Sequence, residues 1–300
     1  MASKKTKKQK RLYYKYTTIF WSLFLLSIVG VFILFGGAAL GFYGPMPDLQ
    51  QLENPRTNLA SQIISTDGEI LGKYYFDENR TPIGFDEIPT NMVEALIATE
   101  DERFYDHSGI DWLGTLRAFA FLGKRGGAST ISQQLARQIF VGTRSRSLIK
   151  TILQKAQEYV IAVQLEQRYT KKEILSMYLN KYDFGYQADG IRSAAKIFFN
   201  KSPKELNIEE SATLVGMLKN SSYFNPIRRP ERVKARRNIV FQQLLRNQLI
   251  TKKEKDSLDQ LPLLINFTPE SHREGLATYF RAYLKEFMDA WIDKNIKPDG

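Results

Sequence analysis

Residues 100–109 have the sequence EDERFYDHSG and follow directly on a segment with helical periodicity. One face of that segment carries Met92, Ala95, Leu96 and Thr99. This spacing predicts a helix that ends at Glu100 and presents its carboxylate to a charged loop. Because a glutamate in water is ionised at neutral pH, Glu100 is a candidate proton acceptor. The alternative for Glu100 is a helix cap or an ion pair with Arg103.

Two further polar segments lie downstream. GGASTISQQLAR occupies residues 126–137, and QKAQE occupies residues 154–158 within a predicted helix. Glu158 lies one turn after Lys155, so the two side chains share a helix face. The simplest interpretation of this pair is an ordinary helix ion pair worth roughly 0.2–0.5 kcal/mol. Two carboxylates surrounded by cations, behind a membrane anchor, instead favour chemistry on an anionic, lipid-linked substrate.

The N-terminus predicts that anchor. The first 15 residues carry seven lysines and arginines and no acid, and residues 16–47 contain no charged side chain. The apolar part, 19–42, is long enough to cross a bilayer at ~1.5 Å rise per residue. The positive-inside rule predicts a cytoplasmic basic tail at 1–15, a transmembrane helix at 16–44 and an exterior location for the rest. A cleaved signal peptide, with its cleavage site at 37–39, is the alternative.

The composition excludes several classes of site. The chain has 300 residues and a net charge of +11, but the tail supplies seven of those charges, which disfavours nucleic-acid binding by the domain. There is no cysteine, so disulfides, thiolate metal sites and a cysteine nucleophile are excluded. His272 has no partner at a ligand spacing, and no metal site is predicted.

The pattern divides the chain into further segments. Residues 45–88 are predicted to be a linker with a short β hairpin around Asp67-Gly68. Residues 89–250 are predicted to form a mainly helical domain, with helices over 147–168, 171–181, 191–199, 208–218 and 230–247. Residues 251–300 are predicted to be a C-terminal extension or a linker to a further domain. Its amphipathic helix is marked by Leu276, Tyr279, Tyr283, Phe287 and Trp291.

The motifs resemble those of the peptidoglycan glycosyltransferases, glycosyltransferase family 51, which form the N-terminal half of class A penicillin-binding proteins or occur alone. The first family motif, E-D-x-x-F-x-x-H-x-G, matches at Glu100, Asp101, Phe104, His107 and Gly109. The second matches from Gly127 to Leu135. Matches to the third to fifth motifs lie at Lys155, Glu158, Leu165-Glu166, 174–180, Phe184-Gly185 and 210–226. Gln154 stands where the family often has arginine, which removes one positive charge.

The resemblance implies a fold and a reaction. The fold is mainly α, a lysozyme-like transglycosylase domain with a small β element, preceded by one transmembrane helix. The reaction joins lipid II to a lipid-linked glycan chain by inverting displacement of polyprenyl pyrophosphate. Glu100 is the expected general base. Glu158 is a second carboxylate that orients the acceptor, stabilises charge at the anomeric carbon or holds a cation.

The resemblance also assigns roles to other side chains. Substrate contacts are expected from Arg117, Gln133, Gln134, Arg137 and Lys155, whereas Asp101, Phe104, His107 and Gly109 are expected to shape the loop. Contact with the membrane is expected from Trp112, Leu113, Leu116, Phe119 and Phe121, for which core packing is the alternative. No cofactor is required, and a dependence on divalent cations is left open.

Two other functions compete with the glycosyltransferase. One is a lysozyme-like glycan hydrolase, and the other is an inactive membrane-anchored scaffold for cell-wall synthesis. The expected location is the bacterial cytoplasmic membrane, with the catalytic domain on the outer side. Residues 147–150 fit the S-x-x-K pattern of a transpeptidase but lack its companion motifs. Partners in wall synthesis, and a transpeptidase domain after residue 300, are left open.

Overall fold

The computed structural model describes residues 2–48, 51–52, 61–68, 70–74, 80–121, 129–269 and 278–295. Its first helix, α1, runs over Ala2–Ala39 and includes the basic tail. The apolar part, Leu12–Ala39, has 28 residues and is long and apolar enough to cross a membrane.

Helix α1 ends at Ala39, earlier than the predicted 44. Gly41 adopts a positive φ of 77°. The N–H of Gly41 bonds to Ala38 O at 3.0 Å, and that of Phe42 bonds to Gly37 O at 2.9 Å. These two bonds form a Schellman motif, in which a glycine takes the left-handed conformation that closes a helix.

A two-stranded antiparallel sheet lies where the sequence predicts a hairpin. Strand β1, Ser61–Ile64, pairs with strand β2, Ile70–Tyr74. Gly68, in the connecting turn, has a φ of 89°, which glycine adopts without strain.

The remaining described elements are helical. The α-helices are α2 Thr90–Glu100, α3 Trp112–Ala120, α4 Ile131–Ala136, α5 Leu148–Arg168, α6 Lys171–Lys181, α7 Gly190–Phe199, α8 Ile208–Met217, α9 Pro230–Arg246, α10 Lys252–Gln260 and α11 Thr278–Asn295. Short 3₁₀ turns lie at Phe85–Glu87, Phe104–Asp106 and Pro203–Glu205, and a π-helix at Arg137–Val141. The predicted mainly α class is confirmed. Helix α10 was missed because its sequence is almost entirely polar, although a Thr251–Glu254 capping box begins it.

Two groups of helices build the core. Helices α2, α8 and α9 pack on one another, while α4 packs against both α5 and α6. The large side chains buried between them include Leu96, Phe104, Ile131, Leu135, Leu165, Tyr178, Phe198 and Phe241. Burying a side chain of this size stabilises the fold by about 1.5–3 kcal/mol. The C-terminal end of α1 packs on α5, where the Phe35 and Tyr159 rings are in contact.

The C-terminal segment divides into two parts. Residues after α10 return to the domain, where Asn266 N–H donates to Phe198 O at 2.9 Å and Phe267 packs on Tyr186. Contacts of the domain therefore continue beyond residue 250, and the domain boundaries stay predictions. In α11, Tyr279 is 94% exposed, so the predicted apolar stripe faces solvent there. Leu276 lies outside the described residues.

Candidate active site

Glu100 lies where the two helical groups meet. It is the last residue of α2, and its side chain is 15% exposed. From α4, Gln134 Nε2 donates a hydrogen bond to Glu100 Oε2 at 3.0 Å. From α9, Arg236 Nη2 lies 3.6 Å from Glu100 Oε1, too long for a hydrogen bond. One oxygen of the carboxylate thus accepts a hydrogen bond, and the other makes none with the described residues.

Tyr178 fixes the amide that holds Glu100. Its hydroxyl lies 3.0 Å from Gln134 Oε1. Because a carboxylate only accepts, the amide must turn its NH₂ toward Glu100 and its oxygen toward Tyr178, which donates. Complete burial, reinforced by the charge of Glu100, raises the pKa of Tyr178 well above its ordinary value. The tyrosine therefore stays a donor throughout the physiological range.

Arg236 is a site residue that sequence reasoning missed. It lies on α9, its guanidinium is 5.9 Å from the Phe224 ring, and its side chain is 11% exposed. Burial lowers the pKa of Arg236, and the charge of Glu100 acts in the opposite direction. No sequence spacing relates Arg236 to Glu100. The two residues meet because the fold packs α9 against α2.

Glu158 forms a second carboxylate centre with Lys155, on α5. Its side chain is 1% exposed. Lys155 Nζ donates to Glu158 Oε2 at 2.7 Å, to Ser129 Oγ at 3.0 Å and to Gln133 Oε1 at 3.1 Å. Because the acid is almost completely buried, the pair is more than a solvated helix ion pair. The adjacent Gln133 and Gln134 face different centres, one toward Lys155 and the other toward Glu100.

The pKa of the Lys155 ammonium is lowered by its surroundings. Burial lowers the pKa of Lys155 below 10.5, and the charges of Arg144 and Arg137 lower it further, whereas Glu158 raises it. Two arginines therefore act electrostatically on the same ammonium. Lys155 is accordingly a cation that loses its proton more readily than an exposed lysine does.

Gln154 holds Arg144 beside Glu158. Its Oε1 accepts from Ser145 N–H at 2.9 Å, and its Nε2 donates to Thr143 O at 3.1 Å. Between these two anchored residues, Arg144 extends its Nη2 to 3.8 Å from Glu158 Oε2. Gln154, which stands where the family often has arginine, thus positions Arg144 from the loop before α5. Sequence reasoning missed Arg144.

Arg137 is the first residue of the π-helix that follows α4. Its charge lowers the proton affinity of Lys155 and acts also on Tyr178, beside Glu100. Within the described part of the chain, the side chain of Arg137 has no hydrogen bond or ion pair, and it is half-buried. A cation in this state is available to an anionic ligand.

Hydrogen bonds of Asp101 and His107 hold the loop of the first motif in place. His107 Nε2 lies 3.0 Å from Asp101 Oδ1, and Asp101 Oδ2 accepts from Ile131 N–H at 2.9 Å. Gly109 N–H donates to His107 Nδ1 at 3.2 Å, so Nε2 carries the proton that bonds to Asp101. The Asp101 carboxylate thus joins the imidazole of His107 to the start of α4.

Gly109 and Phe104 complete this frame. Gly109 has a φ of 90°, and a Cβ there would lie 2.9 Å from the backbone of Ala162. Its carbonyl accepts from Thr130 Oγ1 at 2.7 Å. Phe104 is fully buried, with Lys171 Nζ 4.3 Å from its ring centroid. Only a glycine fits where the loop meets α5 this closely.

The side chain of Arg117 makes no contact with Glu100 or Glu158 among the described residues. Its Nη1 is 3.5 Å from Glu102 Oε1, and the side chain is 36% exposed. Arg246 approaches the same acid at 3.8 Å. The predicted phosphate contact of Arg117 stays a prediction.

The apolar residues of the predicted membrane surface are exposed. Trp112 is 63% exposed, and Leu113, Leu116 and Phe121 are also exposed on and after α3. This exposure disfavours the core-packing alternative. The side chain of Phe119 lies outside the described residues.

The described residues contain no group of three or more His, Cys, Asp or Glu side chains that could hold a metal ion. The arrangement instead combines an acceptor oxygen on Glu100 with a cationic centre formed by Arg137, Arg144 and Lys155. Such a pairing suits removal of a proton from one group and stabilisation of an anion on another.

Comparison with known proteins gives the family of this site. The transglycosylase family model matches residues 67–245. The chain belongs to the transglycosylase family. Penicillin-binding protein 1A of Escherichia coli is 39% identical over 245 residues, 79% of this chain and 28% of the relative. Penicillin-binding protein 1F of Bacillus subtilis is 34% identical over 288 residues, 95% of this chain and 38% of the relative.

A solved structure is also similar. The crystal structure of penicillin-binding protein 1A from Haemophilus influenzae aligns with a TM-score of 0.44 and 22% identity, over 80% of this chain and 25% of that chain. The family match confirms the family and the enzyme class, peptidoglycan glycosyltransferase, recognised from the motifs. This transglycosylase chain spans roughly a quarter to two-fifths of the length of these relatives.

Proposed function

We propose that this transglycosylase chain polymerises lipid II into glycan strands, with Glu100 as the general base. The observation that carries the proposal is the state of the Glu100 carboxylate. Gln134 holds Oε2, whereas the nearest cation lies 3.6 Å from Oε1. A carboxylate that is held at one oxygen and makes no hydrogen bond at the other suits a base that accepts a proton from an incoming hydroxyl.

The reaction is an inverting displacement. A sugar hydroxyl of one lipid-linked molecule attacks the anomeric carbon of another, and its proton passes to Glu100 Oε1. The glycosidic bond forms as the bond between the anomeric carbon and the phosphate oxygen breaks. Polyprenyl diphosphate leaves with the electron pair of that bond, and the configuration at the anomeric carbon inverts.

The departing diphosphate needs positive charge. The cationic centre provides it through Arg137, Arg144 and Lys155, of which Arg137 makes no ion pair with described residues. Arginine matches two phosphate oxygens at once. Glu158, which is buried beneath Lys155, keeps that ammonium charged and aimed, and this is the role we propose for the second carboxylate.

The neighbours of Glu100 disfavour the hydrolase alternative. A glycosidase acid has to carry a proton, and it does so in an apolar pocket without cations. Glu100 instead accepts from an amide and faces Arg236, and both neighbours match an ionised acceptor. We place the domain on the outer side of the bacterial cytoplasmic membrane, because the basic tail precedes the apolar span Leu12–Ala39.

The test is polymerisation of lipid II by the purified full chain in detergent and in vesicles, with and without a chelator. The expected product is a glycan ladder whose new linkages have the opposite anomeric configuration from lipid II. Cleavage of finished glycan without polymer would replace the proposal with the hydrolase. A correctly folded chain that gives neither product would replace it with the scaffold.

A further inference from the structure

An aromatic pair in the fifth motif has no part in the proposed reaction. Tyr223 and Phe224 lie in the turn between α8 and α9, with ring centroids 4.9 Å apart at an interplanar angle of 83°. The Phe224 ring is 5.9 Å from the guanidinium of Arg236, which faces Glu100. Tyr223 is 46% exposed. The pair therefore extends from the neighbourhood of Glu100 to the surface of the domain.

Two arginines lie over the exposed ring. The guanidinium of Arg232 is 4.7 Å from the Tyr223 ring centroid, and that of Arg229 is 5.4 Å from the same centroid. Arg229 Nη1 also donates to Tyr223 O at 3.4 Å. Both arginine side chains are exposed, and neither makes an ion pair within the described part of the chain. A guanidinium that stacks on a ring keeps the donors at its edge for an anion.

These two arginines form a row with Arg236. Positions 229, 232 and 236 are three and four residues apart, so they share one face of α9 and its N-terminal end. Along the helix axis, Arg232 lies about 6 Å from Arg236 and Arg229 lies about 10 Å from it, at 1.5 Å per residue. The row of cations therefore leads from Glu100 outward to solvent.

The outer two cations stand where local structure disfavours them. Arg229 is the N-cap of α9, and Arg232 lies in the first turn. The helix dipole is unfavourable to positive charge at this end of a helix. The two guanidinium groups also share one ring, so they repel each other. An anion bound between them relieves both effects.

We propose that Arg229, Arg232 and Tyr223 bind the acidic stem peptide of the lipid II molecule whose sugar hydroxyl faces Glu100. Carboxylates of the peptide accept hydrogen bonds from the two guanidinium groups, which the Tyr223 ring holds in place. The peptide is attached to the sugar next to the one that carries the attacking hydroxyl, so it extends from Glu100 along the row. The identity of this ligand rests on the proposed function.

The test uses a ligand that cannot be polymerised. It is the disaccharide with its pentapeptide but without the lipid diphosphate, so it has no leaving group. The comparison ligand is the same molecule with its peptide carboxylates amidated. Ligand-observed NMR titrations of the full chain in detergent give both dissociation constants. We expect the free acid to bind roughly three- to tenfold more tightly than the amide at low salt, and this preference to shrink as salt increases.

Substitutions assign the preference to the two arginines. Arg229→Gln with Arg232→Gln is expected to abolish the preference for the free acid. Arg168→Gln with Lys253→Gln, two exposed cations on other helices, is the matched control and should keep it. Arg229→Lys with Arg232→Lys retains the charges without the planar donor groups, so part of the preference should remain.

Several outcomes would overturn the peptide site. They are equal affinity of the unmodified chain for the two ligands, binding of neither ligand, a preference that survives the paired glutamine substitutions, and an equal loss in the control pair. Equal affinity is also the result expected if the arginines serve lipid headgroups. Because the titration measures no turnover, a chain that polymerises lipid II without discriminating between the ligands would refute the peptide site alone. A chain that discriminates without polymerising would refute only the proposed reaction.

Discussion

The side-chain amide of Gln134 lies between Glu100 and Tyr178, and its Nε2 is 3.0 Å from Glu100 Oε2. The Tyr178 hydroxyl lies 3.0 Å from the oxygen of the same amide. A buried tyrosine thus orients the glutamine, and the glutamine orients the carboxylate that we propose as the base. The relay joins α6, α4 and α2, so that the fold itself sets the direction of the free oxygen of Glu100.

Removal of the relay donor is expected to reduce turnover. Tyr178→Phe leaves the buried oxygen of Gln134 without its donor, so the amide loses its fixed orientation. We expect kcat for lipid II polymerisation to fall about tenfold, since an unsatisfied buried group costs ~1–3 kcal/mol and part of that cost falls on the transition state. KM is expected to change little. Steady-state assays of glycan formation measure both constants.

Tyr182→Phe is the matched control. Tyr182 is a neighbour in the same aromatic cluster, but its hydroxyl donates to Met217 O at 3.0 Å, outside the relay. Burial raises the pKa of Tyr182 to about 12, so both tyrosines are neutral donors. The control should lose comparable stability while its kcat stays near that of the wild type. Equal losses of kcat in the two variants would contradict the relay.

The alkaline limb of the pH–rate profile is expected to report on Lys155. Burial lowers the pKa of Lys155 below 10.5, so as the pH rises the wild type loses this charge before an exposed lysine would. If the charge stabilises the departing diphosphate, the rate falls at that lowered pKa. Lys155→Arg keeps its charge at every accessible pH, so its limb should move to higher pH. Stopped assays between pH 7 and 11 measure the shift, with Lys252→Arg as an exposed control. An unchanged limb in Lys155→Arg would assign it to another group.

Gly109 is predicted to be intolerant of a side chain. In Gly109→Ala the new Cβ would contact the Ala162 backbone at 2.9 Å, at a φ of 90°. We expect the free energy of unfolding to fall by roughly 2–4 kcal/mol from strain and overpacking. Gly84→Ala, where nothing lies within 4 Å of the added atom, should stay within about 0.5 kcal/mol of the wild type. Thermal unfolding in detergent compares them, and equal melting temperatures would refute the close packing.

Arg144 is predicted to contribute to substrate affinity. Arg144→Gln removes the cation 3.8 Å from Glu158, and we expect KM for lipid II to rise roughly three- to tenfold at low salt, because the side chain is partly exposed and screened. The effect should shrink as salt increases. Arg168→Gln, an exposed arginine at the end of α5, serves as the control. A rise of KM that is independent of salt would indicate a structural role for Arg144.

Local patterns were sufficient to predict much of the fold. Helical periodicity located α5, α6 and α9 to within one residue at each end, because apolar spacing and caps such as Thr170 act within a few residues. The motifs also singled out Glu100 and Glu158, whose roles stay proposals. These features depend on neighbours in sequence, which the chain displays directly.

Long-range pairings were beyond prediction. Arg236 meets Glu100 only because α9 packs on α2, and Arg144 reaches Glu158 only because Gln154 anchors the preceding loop. Gln133 contacts Lys155 and Gln134 contacts Tyr178 because of where α5 and α6 pack against α4. Sequence spacing carries no information about such contacts, since tertiary packing decides them.

Comparison of Glu100→Gln with Glu102→Gln tests the central claim most directly. Glutamine keeps the size of the side chain and removes the proton acceptor, whereas Glu102 pairs with Arg117 and Arg246 outside the two carboxylate centres. We predict that Glu100→Gln lowers lipid II polymerisation by roughly 10²–10⁴-fold with an unchanged melting temperature, and that Glu102→Gln stays within a few-fold of the wild type. Turnover by a folded Glu100→Gln chain at the wild-type rate would contradict the assignment of Glu100 as the base.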